Sequence, residues 1–327
     1  MESTLRSTRR RLLAASAVAL GGAVSGLRAQ DYPSKPIRLI VPTPPGSGPD
    51  SDARHIASRL GPLLGQTVII ENRPGAGTRL AIEAAIKAAP DGYTFLLGTP
   101  SLATAPSLYA NLPFDARRDL IPVSLLSTTA YTLTVNSAVP AQTASAFAAL
   151  AKSNPAYSNV ATYGIATVPH LAGAWFAQAA GTEFKFIHYN TSSPMNDLLA
   201  GQTNALFDAM LPVMGHVKAG KLKVLAISGK NRHPLLPDTP TFAEAGIAGY
   251  DPLVWVGVLA PAGTPRAIIE RMSAALAKVA RAPDVVAYRR DVGSESIGST
   301  PEEYGAFLDA EQEKWGSVIR RLALKLE

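Results

Sequence analysis

Short apolar runs alternate along the chain with stretches whose apolar residues recur every three or four positions. Ile37-Arg38-Leu39-Ile40-Val41-Pro42 is β-branched, short and stopped by proline, which predicts a buried strand. After the Thr43–Pro49 loop, Ala53, Ile56, Ala57 and Leu60 fall at i, i+3, i+4 and i+7, one apolar helix face that Gly65 ends. Thr67–Glu71 predicts the next strand, a helix carries Ile82, Ala85, Ile86 and Ala89, and the turn Pro90-Asp91-Gly92 leads to the strand Tyr93–Gly98. Three strand–loop–helix units in close succession predict a mainly parallel sheet with crossover helices. The middle of the chain reads in the same way. Strands are predicted at Thr128–Val135, Val160–Thr162, Phe184–Tyr189, Ala205–Asp208 and Lys223–Ser228, with helices at Ser145–Lys152, Leu171–Ala180, Met195–Ala200 and Val213–Lys218 between them. Pro234–Gly249, dense in Pro and Gly, predicts a traverse between two bodies. Leu253–Leu259 is again a strand, and the tail holds helices at Pro265–Arg281 and Pro301–Leu326 around an irregular Asp291–Ser299.

Two α/β units follow, with the chain passing into the second near Thr129 and back near Asp251. The predicted division is residues 30–129 with 251–327 in one lobe and 130–250 in the other. Two crossings suggest a cleft in which hinge closure traps a ligand. The alternative is one continuous doubly wound domain, larger than most single cores.

Charge changes the picture at one end only. The chain of 327 residues has a formal charge of +6, but residues 1–29 hold five Arg and one Glu, leaving 26 basic against 24 acidic residues elsewhere. That near balance is no nucleic-acid footprint. Arg6 and Arg9–Arg11 precede an uncharged apolar run from Leu12 to Leu27, and Arg28-Ala29 closes it before polar Gln30-Asp31. The three parts predict a signal peptide over 1–29, cleaved after Ala29, and hence a periplasmic mature protein. Thr8-Arg9-Arg10-Arg11-Leu12-Leu13 fits the twin-arginine as well as the general secretory route. The alternative, a membrane anchor, meets a run that is short for a bilayer. The absence of cysteine excludes disulfides, thiolate metal sites and a cysteine nucleophile.

No catalytic constellation emerges. The five histidines have no metal-ligand spacing, and there is neither a Gly-x-Ser-x-Gly elbow nor a phosphate-loop motif. Gly46-x-Gly48 lacks the third glycine of a dinucleotide fingerprint, since Ser51 stands there. The sequence therefore predicts no enzyme, no cofactor and no metal. What recurs is a strand, a loop of small residues and a helix start: Pro44-Pro45-Gly46-Ser47, Gly75 within Arg73–Thr78, Thr99-Pro100-Ser101, and Gly164, Ala166 and Thr167 within Tyr163–Thr167. Glycine lets backbone approach a ligand, and unpaired N–H groups at a helix start favour an anion. Hydroxyls of Ser47, Thr78, Ser101 and Thr167 add uncharged donors. Such loops lie at the carboxyl ends of strands, where open α/β sheets bind ligands, and a small carboxylate fits them. Arg73 reads as a brace or a clamp, and His170 as a capping or packing residue. Asp208 ends a strand in apolar surroundings, and two readings stay open: a cap for the next helix, or a cleft carboxylate that accepts from a ligand donor.

Several segments are similar to one known family. Tyr32–Pro42 followed by Pro44-Pro45-Gly46, then Glu71–Gly77, Pro90–Thr94, His170–Gly173, Ala219–Ala226, Pro237–Thr241, Glu244–Gly246 and Ala260–Pro265 resemble, in order, the Bug family of extracytoplasmic solute receptors. The resemblance implies a two-lobed type II periplasmic binding protein fold (a Venus flytrap of mixed sheets flanked by helices). It implies a monomer that binds one small organic acid between lobes and delivers it to the membrane components of a tripartite tricarboxylate transporter. In such receptors the carboxylate meets the first strand–helix loop, the loop after the third strand and the second lobe's Gly-rich helix start, here Pro44–Ser47, Thr99–Ser101 and Gly164–Thr167, with Asp208 nearby. A ligand sensor for a membrane histidine kinase is the alternative use of the same trap. This chain departs from the family at Gly46-Ser47-Gly48, where three glycines are usual, at Ala166, where a glycine is usual, and at Tyr189-Asn190-Thr191, where a lysine is lost.

Overall fold

The structure is a computed structural model that describes residues 32–189 and 193–326. The expected signal segment and its cleavage point lie outside the described residues.

The first unit runs β1 (Ile37–Val41), α1 (Gly48–Leu64), β2 (Val68–Asn72), α2 (Arg79–Ile86), β3 (Thr94–Gly98), α3 (Ser101–Leu108) and the single turn α4 (Ala116–Asp119). The long β4 (Leu120–Asn136) leads to α5 (Ala144–Ser153), β5 (Asn159–Thr162), α6 (Val168–Ala179), β6 (Lys185–His188), α7 (Pro194–Leu199), β7 (Ala205–Ala209), α8 (Met210–Lys218) and β8 (Leu222–Ile227). The chain closes with β9 (Leu253–Pro261), α9 (Arg266–Ala280), α10 (Pro283–Asp291), β10 (Ser294–Ser296) and α11 (Pro301–Arg321).

Local chemistry sets the ends of α1: Ser47 caps it, Pro49 sits in its first turn, and Gly65 at φ 70° stops it in the left-handed region. In β1, Ile37, Leu39 and Val41 point into one core with Ile56, Leu60, Ile269 and Leu276, while Ile40 points into the other with Ile82, Leu96 and Leu102. That period-two split sandwiches the sheet between α1, α9 and α10 on one face and α2, α3 and α11 on the other.

One strand joins two sections of sheet. In the first, β1 pairs in parallel with β2 and β3, β9 lies antiparallel to β3, and β4 pairs with β9 over Leu120–Ala130. In the second, β5 pairs in parallel with β6 and β7, and β4 lies between β7 and β8 over Tyr131–Asn136. The partner switch falls between Ala130, opposite Leu253, and Tyr131, opposite Ala209. β3 runs with β4 and β7 runs against it, so both sets of parallel strands run toward that switch. A buried joint spans the sections: Trp315 of α11 meets Trp175 of α6 edge-on at 5.7 Å, and buried Glu311 accepts from the indoles of Trp255 and Trp315.

The structure departs from the sequence reading at β4 and in the C-terminal tail. β4 starts at Leu120 rather than Thr128, because a register shift between Pro122 and Ser124 lets proline sit in a strand that its presence argues against. The supposedly irregular tail segment holds the last turn residue of α10 and all of β10, whose three residues pair with Ser127–Thr129 of β4. α10 carries little amphipathic pattern because its buried residues include a charge, Arg289, paired with Asp52. The last helix ends at Arg321 instead of Leu326, and Leu326 bridges back to Tyr109.

Candidate functional site

Since both sets of parallel strands end toward the β4 switch, the loops after them gather at one level of the molecule. In the β1–α1 loop, Pro44, Pro45 and Gly46 are exposed, and Gly46 takes φ 81°, which few other residues tolerate. Ser47 Oγ donates to Thr43 Oγ1 at 2.7 Å and accepts from Asp50 N–H. Beneath the loop lies Asp50, buried, with one carboxylate oxygen accepting from Gly46 N–H at 2.8 Å and Arg54 Nε at 3.0 Å. Its other oxygen accepts from Asn72 Nδ2 at 2.8 Å, and the same amide reaches Thr43 O. The hydrogen bond from Arg54, with help from Asn72 and Gly46, holds the Asp50 carboxyl down at about 2. This carboxylate fixes the shape of the loop from inside.

Gly75 lies exposed in the β2–α2 loop, next to exposed Leu80. Thr78 caps α2 at φ 76°, and its buried hydroxyl makes no hydrogen bond. Arg73 pairs with Glu71, which also receives Arg38 at 3.1 Å, so Arg73 braces β2. Thr99 and Pro100 are buried at the end of β3, and Ser101, partly exposed, starts α3 while Thr99 O accepts from Leu102 N–H.

The β5–α6 loop mirrors the first loop. Gly164 takes φ 127°, a conformation reserved for glycine, and Ala166 sits at φ 58°. Ala166 N–H donates to His170 Nδ1 at 3.0 Å, and Thr167 Oγ1 donates to Gly164 O at 2.8 Å. Burial, then the neighbouring His188, pushes His170 down to about 4, so it serves this loop as a neutral acceptor. Asp208 is next to last in β7, opposite Thr132. Its Oδ2 accepts from Tyr163 Oη at 2.5 Å and its Oδ1 from Ala209 N–H at 2.7 Å. Ala209 is itself the cap of α8, so Asp208 orders the turn into that helix rather than capping it. Burial pushes the Asp208 carboxyl up to about 6, against the pull of the Tyr163 and Ala209 hydrogen bonds.

All twelve sequence-selected residues therefore lie at the carboxyl ends of β1, β2, β3, β5 and β7, ten of them in the loops, Ser101 at the first position of α3 and Asp208 next to last in β7. Within them, the Ala166 N–H and the hydroxyls of Ser47 and Thr167 already have internal acceptors. Sequence reasoning missed Asp50, Asn72 and Tyr163. Asp50 had a signal, three residues past a capping serine, whereas the Tyr163–Asp208 bond joins residues 45 apart and left none. Among the described residues, no group of three His, Asp or Glu side chains could hold a metal ion, and no helix is long and apolar enough to cross a membrane.

Comparison with known proteins identifies the family and the fold. Residues 53–324 match the tripartite tricarboxylate transporter family receptor. Protein BugT of Bordetella pertussis is 33% identical over 313 residues, 95% of this chain and 96% of that protein. The structure of Rpa4515 of R. palustris with adipate is 29% identical, with a TM-score of 0.82 over 90% of this chain and all of that one. MatC of Rhodopseudomonas palustris with bound malate is 28% identical, with a TM-score of 0.78 over 88% of this chain and all of that one. The fold is the two-lobed type II periplasmic binding protein fold, and the chain belongs to the tripartite tricarboxylate transporter receptor family, of which the Bug proteins are members.

Proposed function

We propose that this chain is a periplasmic receptor that captures one small carboxylate between residues 30–129 with 251–327 and residues 130–250, and hands it to the membrane components of a tripartite tricarboxylate transporter. The observation that carries the reading is family membership over 53–324 with solved relatives holding adipate and malate. The loops at the strand ends suit the role. They offer backbone N–H groups at the starts of α1, α3 and α6, together with the unpartnered hydroxyl of Thr78 at the start of α2. Pro44, Pro45, Gly46, Ser47, Gly75, Thr99, Pro100 and Ser101 form the first half of this site, and Gly164, Ala166, Thr167 and Asp208 the second. Closure about β4 and the return passage near Asp251 brings the halves onto the ligand, driven by the higher affinity of the closed state. The protein transforms nothing and uses no cofactor; export through a cleaved N-terminal signal and a monomeric state complete the reading.

The test is a thermal-shift screen of the mature protein against organic acids, followed by calorimetric titration. A specific acid is expected to raise the melting temperature, by an amount equivalent to about 2.7 kcal/mol at a concentration one hundred times Kd. Chemical conversion of the acid, or no shift with any carboxylate, overturns the reading.

A further inference from the structure

The loops at the strand ends are unusual in which side chains they leave open. Seven large hydrophobic residues are exposed among those described, and four of them belong here: Leu80 at the start of α2, Tyr163 and Ile165 in the β5–α6 loop, and Leu211 at the start of α8. Ile165 is 61% exposed and Tyr163 39%. Scattered exposed hydrophobics are ordinary, but a concentration of them at one level of the molecule marks a surface that is meant to be covered.

The charges point the same way. Arg54 is engaged by Asp50 and Asn72, Arg73 and Arg38 by Glu71, and Arg79 lies 4.5 Å over the Tyr109 ring with its Nε on Ala76 O. The loops after β1, β3, β5 and β7 carry no Lys or Arg. Within the β5–α6 loop and at the end of β7 the formal charge is therefore negative. It belongs to Asp208, which is buried and accepts from the Tyr163 hydroxyl. A second ligand carboxylate placed there meets no cation and one buried anion.

We propose that the site takes an organic acid with one carboxylate and an apolar body, that this body lies against the Tyr163 ring, and that Asp208 holds the ring and excludes a second carboxylate. The proposal rests on the receptor reading above and names its ligand class. It distinguishes this chain from its relatives that hold adipate and malate. The carboxylate itself goes to the neutral donors of the β1–α1 and β3–α3 loops, and the apolar body to Tyr163, Ile165 and Leu211.

The experiment titrates the mature protein with hexanoate, adipate and benzoate at pH 7.5. Hexanoate and benzoate are expected to bind at least about tenfold more tightly than adipate, which adds one buried and unpartnered charge. Tyr163→Ala is expected to weaken benzoate binding about tenfold, and Tyr163→Phe, which keeps the ring, by much less. Asp208→Asn is expected to narrow the hexanoate-to-adipate ratio, a readout that a merely structural role would not move. Adipate binding as tightly as hexanoate overturns the proposal and leaves the receptor reading intact. Unchanged benzoate affinity in Tyr163→Ala removes the ring from the site, and an unchanged ratio in Asp208→Asn removes the excluding charge. Failure of all acids to bind overturns both readings.

Discussion

Replacing Asp50 by asparagine puts the first loop to a quantitative test. The carboxylate accepts from Gly46 N–H and Arg54 Nε with one oxygen and from Asn72 Nδ2 with the other. An amide presents one acceptor and one donor, so one side of the bridge meets a donor facing a donor. Asn72 cannot turn to relieve it, because its Nδ2 also reaches Thr43 O and its Oδ1 accepts from Arg54. Hydrogen bonds to a buried charge contribute about 1.5–3 kcal/mol, and an orphaned buried donor adds about 1–3. Arg54 is half exposed, so solvent screens its share, and the net expectation is about 3 kcal/mol. With about 2.1 cal/mol/K of unfolding entropy per residue over roughly 300 residues, that lowers the melting temperature by about 5 °C. Thermal unfolding followed by circular dichroism measures it. The pH profile carries a second check. The Asp50 carboxyl is held at about 2 in the folded protein against 3.8 unperturbed, so its stabilisation is present above pH 3.8 and lost as pH falls toward 2. The gap between wild type and Asp50→Asn should be constant from pH 7 to 4 and close below that. A variant that melts within about 1 °C of wild type at pH 7, against this expectation of about 5 °C, would refute the clamp.

Four further outcomes follow from contacts elsewhere in the molecule. A Cβ on Gly257 would stand 2.4 Å from Tyr304 Cζ and 2.5 Å from its hydroxyl, so Gly257→Ala should destabilise by about 2 kcal/mol in denaturant titration. Tyr304→Phe removes a buried hydroxyl that has no partner, and should leave stability unchanged or raise it. Ala166 occupies the left-handed region at φ 58°, and Ala166→Gly should stabilise by about 0.5–1 kcal/mol in the same assay. Acidification pulls on two groups in opposite directions. His170 is lowered from 6.5 to about 4, so its contribution is present above pH 6.5 and lost as pH falls toward 4. Asp208 is raised from 3.8 to about 6, so its contribution is present below pH 3.8 and lost as pH rises through 6. Melting curves from pH 7 to 4 should therefore flatten in His170→Asn and steepen in Asp208→Asn.

The parallel strands and their helices were legible because each has its own local signal. β1 is short and β-branched, α1 has an apolar stripe between a capping serine and a glycine stop, and the turn at Pro90–Gly92 announces β3. The loops of small residues were legible for the same reason, since their place between strand and helix is written locally. What the sequence concealed depends on partners far along the chain. Pro122 lies in a strand because β9 accommodates a shift in register, and Arg289 is buried because Asp52, more than two hundred residues away, receives it. Tyr163 belongs with Asp208 only after β5 and β7 have been laid side by side. Periodicity carries no trace of such pairings.

The 17-residue strand β4 also bears on how such proteins diversify. Its backbone belongs to both sections of the sheet at once, so neither half is a separable cassette, and recombination at residue 130 would leave each fragment with an open, unpaired edge. New specificities must then arise by altering the loops at the rim while the common spine is inherited whole. The departures at Ser47 and Ala166 have that character: each lies in a rim loop, and neither belongs to the spine.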